Sequence, residues 1–105
     1  MVSSILIRIK RLVLQGKYVF TQKALNEMDR DNLTEEEVIE SLLTAQFVRT
    51  KISTSEFRTG RRERVYIIEN YSFSGLLIYS KGAIKGKGAD ARYYLLISSK
   101  RSAIS

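Results

Sequence analysis

The chain contains no histidine and no cysteine. It therefore lacks the commonest general base, the commonest metal ligand and the thiolate nucleophile. Any chemistry has to run on Lys, Arg, Tyr, Glu, Asp, Ser and Thr. The densest group of such residues lies in the second half. Arg61, Arg62, Glu63 and Arg64 precede an apolar run at 65–68, Tyr79 and Lys81 follow Leu77, and Ser98 and Lys100 follow Tyr94 and Leu96. Strand alternation puts Leu77, Tyr79 and Lys81 on one side, and Tyr94, Leu96, Ser98 and Lys100 on one side of another strand. On neighbouring strands, these cations, tyrosines and one carboxylate suit a phosphodiester, binding its charge and stacking its bases. They also suit its cleavage without metal. Attack by a ribose 2′-hydroxyl needs a base, cations for the charge gathering on phosphorus, and an acid for the leaving 5′-oxygen. Glu63, or a Lys or Tyr with lowered pKa, fits the base, and Lys and Arg fit the clamp. Each residue taken singly also reads as an exposed charge or a satisfied tyrosine at a strand edge.

The elements that must position these residues are legible from periodicity. Ile5, Ile9, Leu12 and Val13 recur at helical spacing, and Gly16 stands where such a helix stops. Residues 18–20 form a short extended piece. Thr21 then caps a second helix with Ala24, Leu25 and Met28 on one face, ending near Asp31 and Asn32. The third start signal is a capping box, Thr34 with Glu37, framed by Leu33 and Val38 as a hydrophobic staple. Glu35, Glu36 and Glu37 suit the helix dipole, and as successive residues they point around the helix instead of converging on a metal. Val38, Ile39, Leu42 and Leu43 give this helix its apolar face. From residue 47 the period changes, and 47–52, 61–71, 75–80 and 93–98 read as strands. Residues 81–88 read as a flexible basic loop. Helices first and strands afterwards predict an α+β fold over a single domain, 1–105: an antiparallel sheet of about four strands with two to three N-terminal helices packed on one face.

The length of 105 residues suits one modest core, and 44% hydrophobic with 28% charged residues is ordinary globular composition. The net charge of +7 is uneven: residues 1–52 hold 8 Lys/Arg and 7 Asp/Glu, residues 53–105 hold 10 and 4. A basic half is the footprint of a polyanionic partner, although basic residues also keep small domains soluble. Arg8, Lys10 and Arg11 interrupt the apolar N-terminus, so it reads as a core-packing helix and not as a targeting segment or membrane anchor. The expectation is a cytoplasmic protein with no membrane partner, no metal and no cofactor. Gly82, Lys85, Gly86, Lys87 and Gly88 do not make a phosphate loop, because Gly82 and Gly86 are separated by three residues where the motif needs four.

Three stretches carry a family likeness. Residues 9–17, Ile-Lys-Arg-Leu-Val-Leu-Gln-Gly-Lys, followed by Thr21-Gln22-Lys23-Ala24-Leu25, resemble the opening of the motility quorum-sensing regulator (MqsR) type of toxin. Ala24, Met28, Leu33, Thr34, Glu36 and Val38 fit a pattern of small relatives, and the closing Leu95-Leu96-Ile97-Ser98-Ser99-Lys100 is similar to the family's last strand. The resemblance implies a RelE-like α+β fold and a toxin of a toxin–antitoxin system: a metal-independent endoribonuclease that cleaves mRNA, on or off the ribosome, and is held inactive by a cognate antitoxin. It implies catalytic roles for Lys51 (with Arg49 as competitor), Tyr79 and Lys100. Glu63, before Arg64-Val65-Tyr66, stands where the family has Gln, and many relatives have His where Gln22 or Lys23 stands. Arg49, Arg61, Arg62, Arg64, Lys81 and Arg92 are the expected RNA-binding residues. The alternative is a non-catalytic module for RNA or an acidic protein, which the Glu63 departure favours. If an antitoxin covers the same cleft, charge reversal at Arg61 and Arg62 is expected to weaken RNA cleavage and antitoxin binding together, with a steep salt dependence in both. Titration of the variant with each ligand checks this, and unchanged antitoxin affinity places that partner on another face.

Overall fold

The computed structural model describes residues 3–53, 63–86 and 92–103. Arg61, Arg62 and Lys87 lie outside them. Each helix starts at a hydroxyl cap. Ser3 caps α1 (Ser4–Leu14), Thr21 caps α2 (Gln22–Arg30) and Thr34 caps α3 (Glu35–Leu43). Both halves of the expected capping box form: the Glu37 N–H donates to Thr34 Oγ1 at 3.1 Å, and the Thr34 N–H donates to Glu37 Oε1 at 2.9 Å. The Glu37 carboxylate is consequently held below its ordinary pKa, first by the Thr34 backbone N–H. Gly16 (φ 73°) and Asn32 (φ 58°) turn the chain out of the first two helices in the left-handed region.

The strands are β1 (Tyr18–Phe20), β2 (Arg49–Ser53), β3 (Glu63–Tyr71), β4 (Leu77–Lys85) and β5 (Tyr93–Arg101). They form one five-stranded sheet in the order β1-β5-β4-β3-β2. The architecture is α+β, as expected, but the sheet is mixed and has five strands. The short extended piece at 18–20 is the fifth, parallel to β5 with Val19 opposite Leu95. A second difference lies in the expected basic loop. Lys81 to Lys85 belong to β4, and Gly82 sits inside the sheet opposite Leu96. A Cβ there would stand 2.6 Å from the Tyr94 hydroxyl and 2.8 Å from the Leu95 carbonyl oxygen, so the glycine marks close approach inside a strand.

The core lies between the helices and one sheet face. Leu6, Ile9, Val13, Met28, Val38 and Leu42 meet Tyr66, Ile68, Ile78, Tyr94 and Leu96, all buried. No described helix is long and apolar enough to cross a membrane. Asn70 secures α3 by donating to the Ser41 carbonyl at 3.0 Å and to Thr44 Oγ1 at 2.9 Å.

The outer edge of β5 is closed in two ways. Over its first half β1 pairs with it, Tyr94 N–H reaches the Lys17 carbonyl at 2.9 Å, and Thr21 N–H reaches the Leu96 carbonyl at 3.0 Å. Beyond β1, α2 takes over with side chains. Thr21 Oγ1 donates to the Ile97 carbonyl at 3.0 Å, Ser99 N–H donates to Glu27 Oε1 at 3.2 Å, and Arg101 N–H donates to Asp31 Oδ2 at 2.9 Å. The Ser98 hydroxyl also donates to Glu27 Oε1, at 2.7 Å. Glu27 thus replaces a missing strand partner for two groups in a buried setting. Glu27→Ala strands both and is expected to cost about 2–4 kcal/mol, while Glu27→Gln, which keeps an acceptor, costs less. Urea denaturation of the two variants checks the order.

Candidate functional site

The candidate site lies on the second face of the sheet. Cross-strand register aligns Glu69, Tyr79 and Lys100 across β3, β4 and β5, with Ile67, Lys81 and Ser98 in the next row. Lys51 of β2 stands opposite Val65, and Arg49 opposite Ile67. The floor between these polar groups is apolar, with Val65, Ile67 and Ala83 buried although outside the helix-side core cluster.

Lys100 reaches this face only because β5 is irregular. Register passes from Leu96 opposite Gly82 to Ser98 opposite Lys81, which leaves Ile97 as an extra residue. Plain alternation predicts that Lys100 shares the side of Tyr94 and Leu96, both fully buried in the helix-side core. The bulge reverses the parity after Ile97 and turns Lys100 to the other face, where its Nζ lies 5.4 Å from the Tyr79 ring centroid.

Lys81 is the electrostatic centre of the site. It is half-buried, and its ammonium pKa falls below the usual lysine range. Desolvation is the first cause, followed by repulsion from Lys23 and Lys51, with Lys100 adding to it; Glu27 opposes the fall. Three other elements (α2, β2 and β5) therefore bring their lysines within electrostatic reach of this β4 amine. Such a lysine has a larger neutral fraction than an exposed one and can take a proton, while its charged neighbours hold an anion.

The site residues expected from sequence divide into groups. Lys51, Tyr79, Lys81 and Lys100 share the second face. Arg49 belongs there too, but its guanidinium is 2.8 Å from Glu69 Oε1, and Glu69 Oε2 accepts from the Ser102 hydroxyl at 2.7 Å. Glu63 has the strand parity of the same face and is ion-paired with Lys85; along β3 it stands two residues from Val65, the partner of Lys51, and six from the Glu69 row, roughly 20 Å. Lys85 is consequently a strand residue with a partner and not a loop lysine. Arg64 is exposed on the helix side of β3, the side of Tyr66 and Ile68. Arg92 precedes β5 and lines a separate depression with Arg8, Arg11 and Lys17. Lys23 and Glu27 are participants that sequence reasoning missed. Their i, i+4 spacing puts them on one side of α2, but nothing in that spacing says that the helix docks on a strand edge.

No protein-family model, curated protein or solved structure matches the chain.

Crowding at Lys81 has a consequence for stability. Folding lowers the pKa of a base here, so the protonated native state is penalised at pH values below the folded pKa. The penalty fades as pH rises from that value to the ordinary 10.5. Lys81→Met keeps the aliphatic stem and removes the charge. At neutral pH it is expected to raise the thermal midpoint by about 2–4 °C, the scale of one relieved repulsion of about 0.5 kcal/mol. The gain over wild type should shrink as pH approaches 10, which thermal melts at several pH values check.

Proposed function

We propose that the protein is a metal-independent endoribonuclease that cleaves mRNA and acts as the toxin of a toxin–antitoxin pair, of the MqsR type with a RelE-like fold. The observation that carries this reading is the half-buried Lys81, its pKa lowered, ringed by Lys23, Lys51 and Lys100 beside Tyr79. The three helices ahead of the antiparallel β2–β5 run and the resemblance of the terminal segments support the family assignment.

In this mechanism the neutral Lys81 amine takes the proton from a ribose 2′-hydroxyl as its oxygen attacks the adjacent phosphorus. The O2′–P bond forms and the P–O5′ bond breaks, giving a 2′,3′-cyclic phosphate and a 5′-hydroxyl. Lys100, held against the Tyr79 ring, offsets the charge on the non-bridging oxygens and protonates the leaving 5′-oxygen. Lys51 and Lys23 anchor flanking phosphates and keep the Lys81 proton loosely held. Glu63 has no part in the steps, because Lys85 neutralises it at the far end of β3.

Purified protein incubated with single-stranded RNA in the presence of a chelator is expected to give 2′,3′-cyclic phosphate ends. Lys100→Ala should lower the rate on the order of 10²–10³-fold, as loss of other transition-state donors does. Lys81→Met should lower it on the order of 10²–10⁴-fold. The wild-type rate should rise with pH as Lys81 loses its proton, with a midpoint below 10.5, and this limb should vanish in Lys81→Met. Salt-dependent binding with intact RNA would instead establish the non-catalytic module. Equal cleavage by wild type and Lys81→Met would remove the base assigned here.

A further inference from the structure

Three ammonium groups stand around the Lys81 amine. In the sheet register Lys81 lies between Ile67 of β3 and Ser98 of β5. Lys100 follows Ser98 by two residues on β5, and Lys51 faces Val65, two residues before Ile67 on β3. Lys23 belongs to α2, one turn before Glu27, whose Oε1 accepts from the Ser98 hydroxyl at 2.7 Å. Strand pairing and the Glu27 contacts fix the relative positions of these four elements. The crowding is thus built into the fold and does not arise from one mobile side chain.

The floor under the amine is apolar, with Val65, Ile67 and Ala83 buried. Burial on such a floor and the neighbouring ammonium groups both favour the neutral amine, which carries a free lone pair. An electrophile suited to this amine is small and uncharged, because the lysine is half-buried and its neighbours are cations. Its product gains from those cations only if it is an anion. Carbon dioxide meets both conditions: it adds to a neutral amine and not to an ammonium group, and the adduct is negatively charged. The charges that repel an ammonium group at Lys81 attract an anion in the same place. Glu27 acts against this, but with a weaker effect on Lys81 than Lys23 or Lys51. On the same face Arg49 and Glu69 are paired with each other.

We propose that Lys81 is a carbon dioxide site, at which its Nζ forms a carbamate whose charge is balanced by Lys23, Lys51 and Lys100. The nitrogen lone pair forms the N–C bond, one C–O π pair becomes the charge on oxygen, and the displaced proton passes from nitrogen to solvent. The step needs no co-reactant beyond carbon dioxide, and it is reversible. The carbamate stands on the lysine cluster itself. Its consequence for RNA rests on the role of Lys81 proposed above, since a carbamate nitrogen has no lone pair free to take the 2′-hydroxyl proton. Carbon dioxide is then a reversible inhibitor of cleavage.

The test is to equilibrate the full chain with isotope-labelled bicarbonate, record the carbon NMR spectrum, and trap carbamates with triethyloxonium before peptide mass mapping. A carbamate resonance is expected that vanishes in Lys81→Met. The trapped ethyl ester should lie on Lys81 and not on Lys17, an exposed lysine of the α1–β1 turn. Lys23→Met/Lys51→Met alters only exposed side chains and should lower the carbamate occupancy about fivefold, the scale of two exposed charge contacts. No ester on Lys81, equal trapping on Lys17, or unchanged occupancy in Lys23→Met/Lys51→Met would overturn the proposal. Bicarbonate should also slow RNA cleavage relative to chloride at equal ionic strength. A Lys81 carbamate that leaves cleavage untouched keeps the carbon dioxide site and removes Lys81 as the base. Cleavage lost in Lys81→Met, with no carbamate in the wild type, keeps the base and overturns the site.

Discussion

The buried carboxylate of Glu27 is the contact on which the rest of the structure turns. β5 has β4 on one side along its length, but β1 covers only its first half on the other. The backbone N–H groups past that point need acceptors, because an unpaired buried donor is costly. Glu27 meets this need for Ser99 and holds the Ser98 hydroxyl as well, immediately after the extra residue Ile97. The same contact therefore fixes the strand where its parity reverses, and that reversal delivers Lys100 to the second face. Glu27 also acts through charge, raising the Lys81 pKa against the surrounding lysines. Structure and electrostatics meet in one side chain.

Local chemistry made much of the fold legible. Thr21, Thr34 and Glu37 announce helix starts through interactions that span three residues, and the structure forms each of them. The α+β class follows from the order of periods along the chain. What stayed hidden depends on contacts between distant segments. Three residues at 18–20 carry too little pattern to reveal a strand, and only pairing with β5 makes them one. Gly82 looks like a loop residue by composition, whereas its lack of a side chain serves the buried Tyr94 ring across the strand pair. The parity of β5 cannot be read by alternation, because a bulge changes which face a later residue occupies without altering the sequence pattern around it.

The candidate site follows the same division. Lys100 and Tyr79 are identifiable as chemistry-bearing types, and the structure brings them together, although by a register that alternation does not give. Glu63 is an attractive base on residue type alone, and in the structure its carboxylate is ion-paired with Lys85 of the neighbouring strand. Counting charge by halves also conceals a feature of the first half. Its near balance reflects carboxylates gathered on α2 and α3, whereas Arg8, Arg11 and Lys17 meet Arg92 around one depression. Positive charge is thus concentrated in two places that the linear sequence does not separate.

In the proposed reaction the proton acceptor is a lysine, a group that is normally charged near neutral pH. An isolated surface lysine fails, since water stabilises its ammonium form. Partial burial alone lowers the pKa but supplies nothing to hold an anion. The arrangement around Lys81 does both, because the cations that disfavour its proton are also the groups that would neutralise a phosphate. Such crowding cannot be relieved by neighbouring carboxylates without losing its effect: Glu69 is engaged by Arg49 and Ser102, and Glu63 by Lys85. Glu27 remains within electrostatic reach, yet its Oε1 is committed to the β5 backbone and Ser98. Among the described residues, the carboxylates of Glu27, Glu63 and Glu69 are occupied by structural contacts, and none of them is ion-paired with Lys23, Lys51, Lys81 or Lys100.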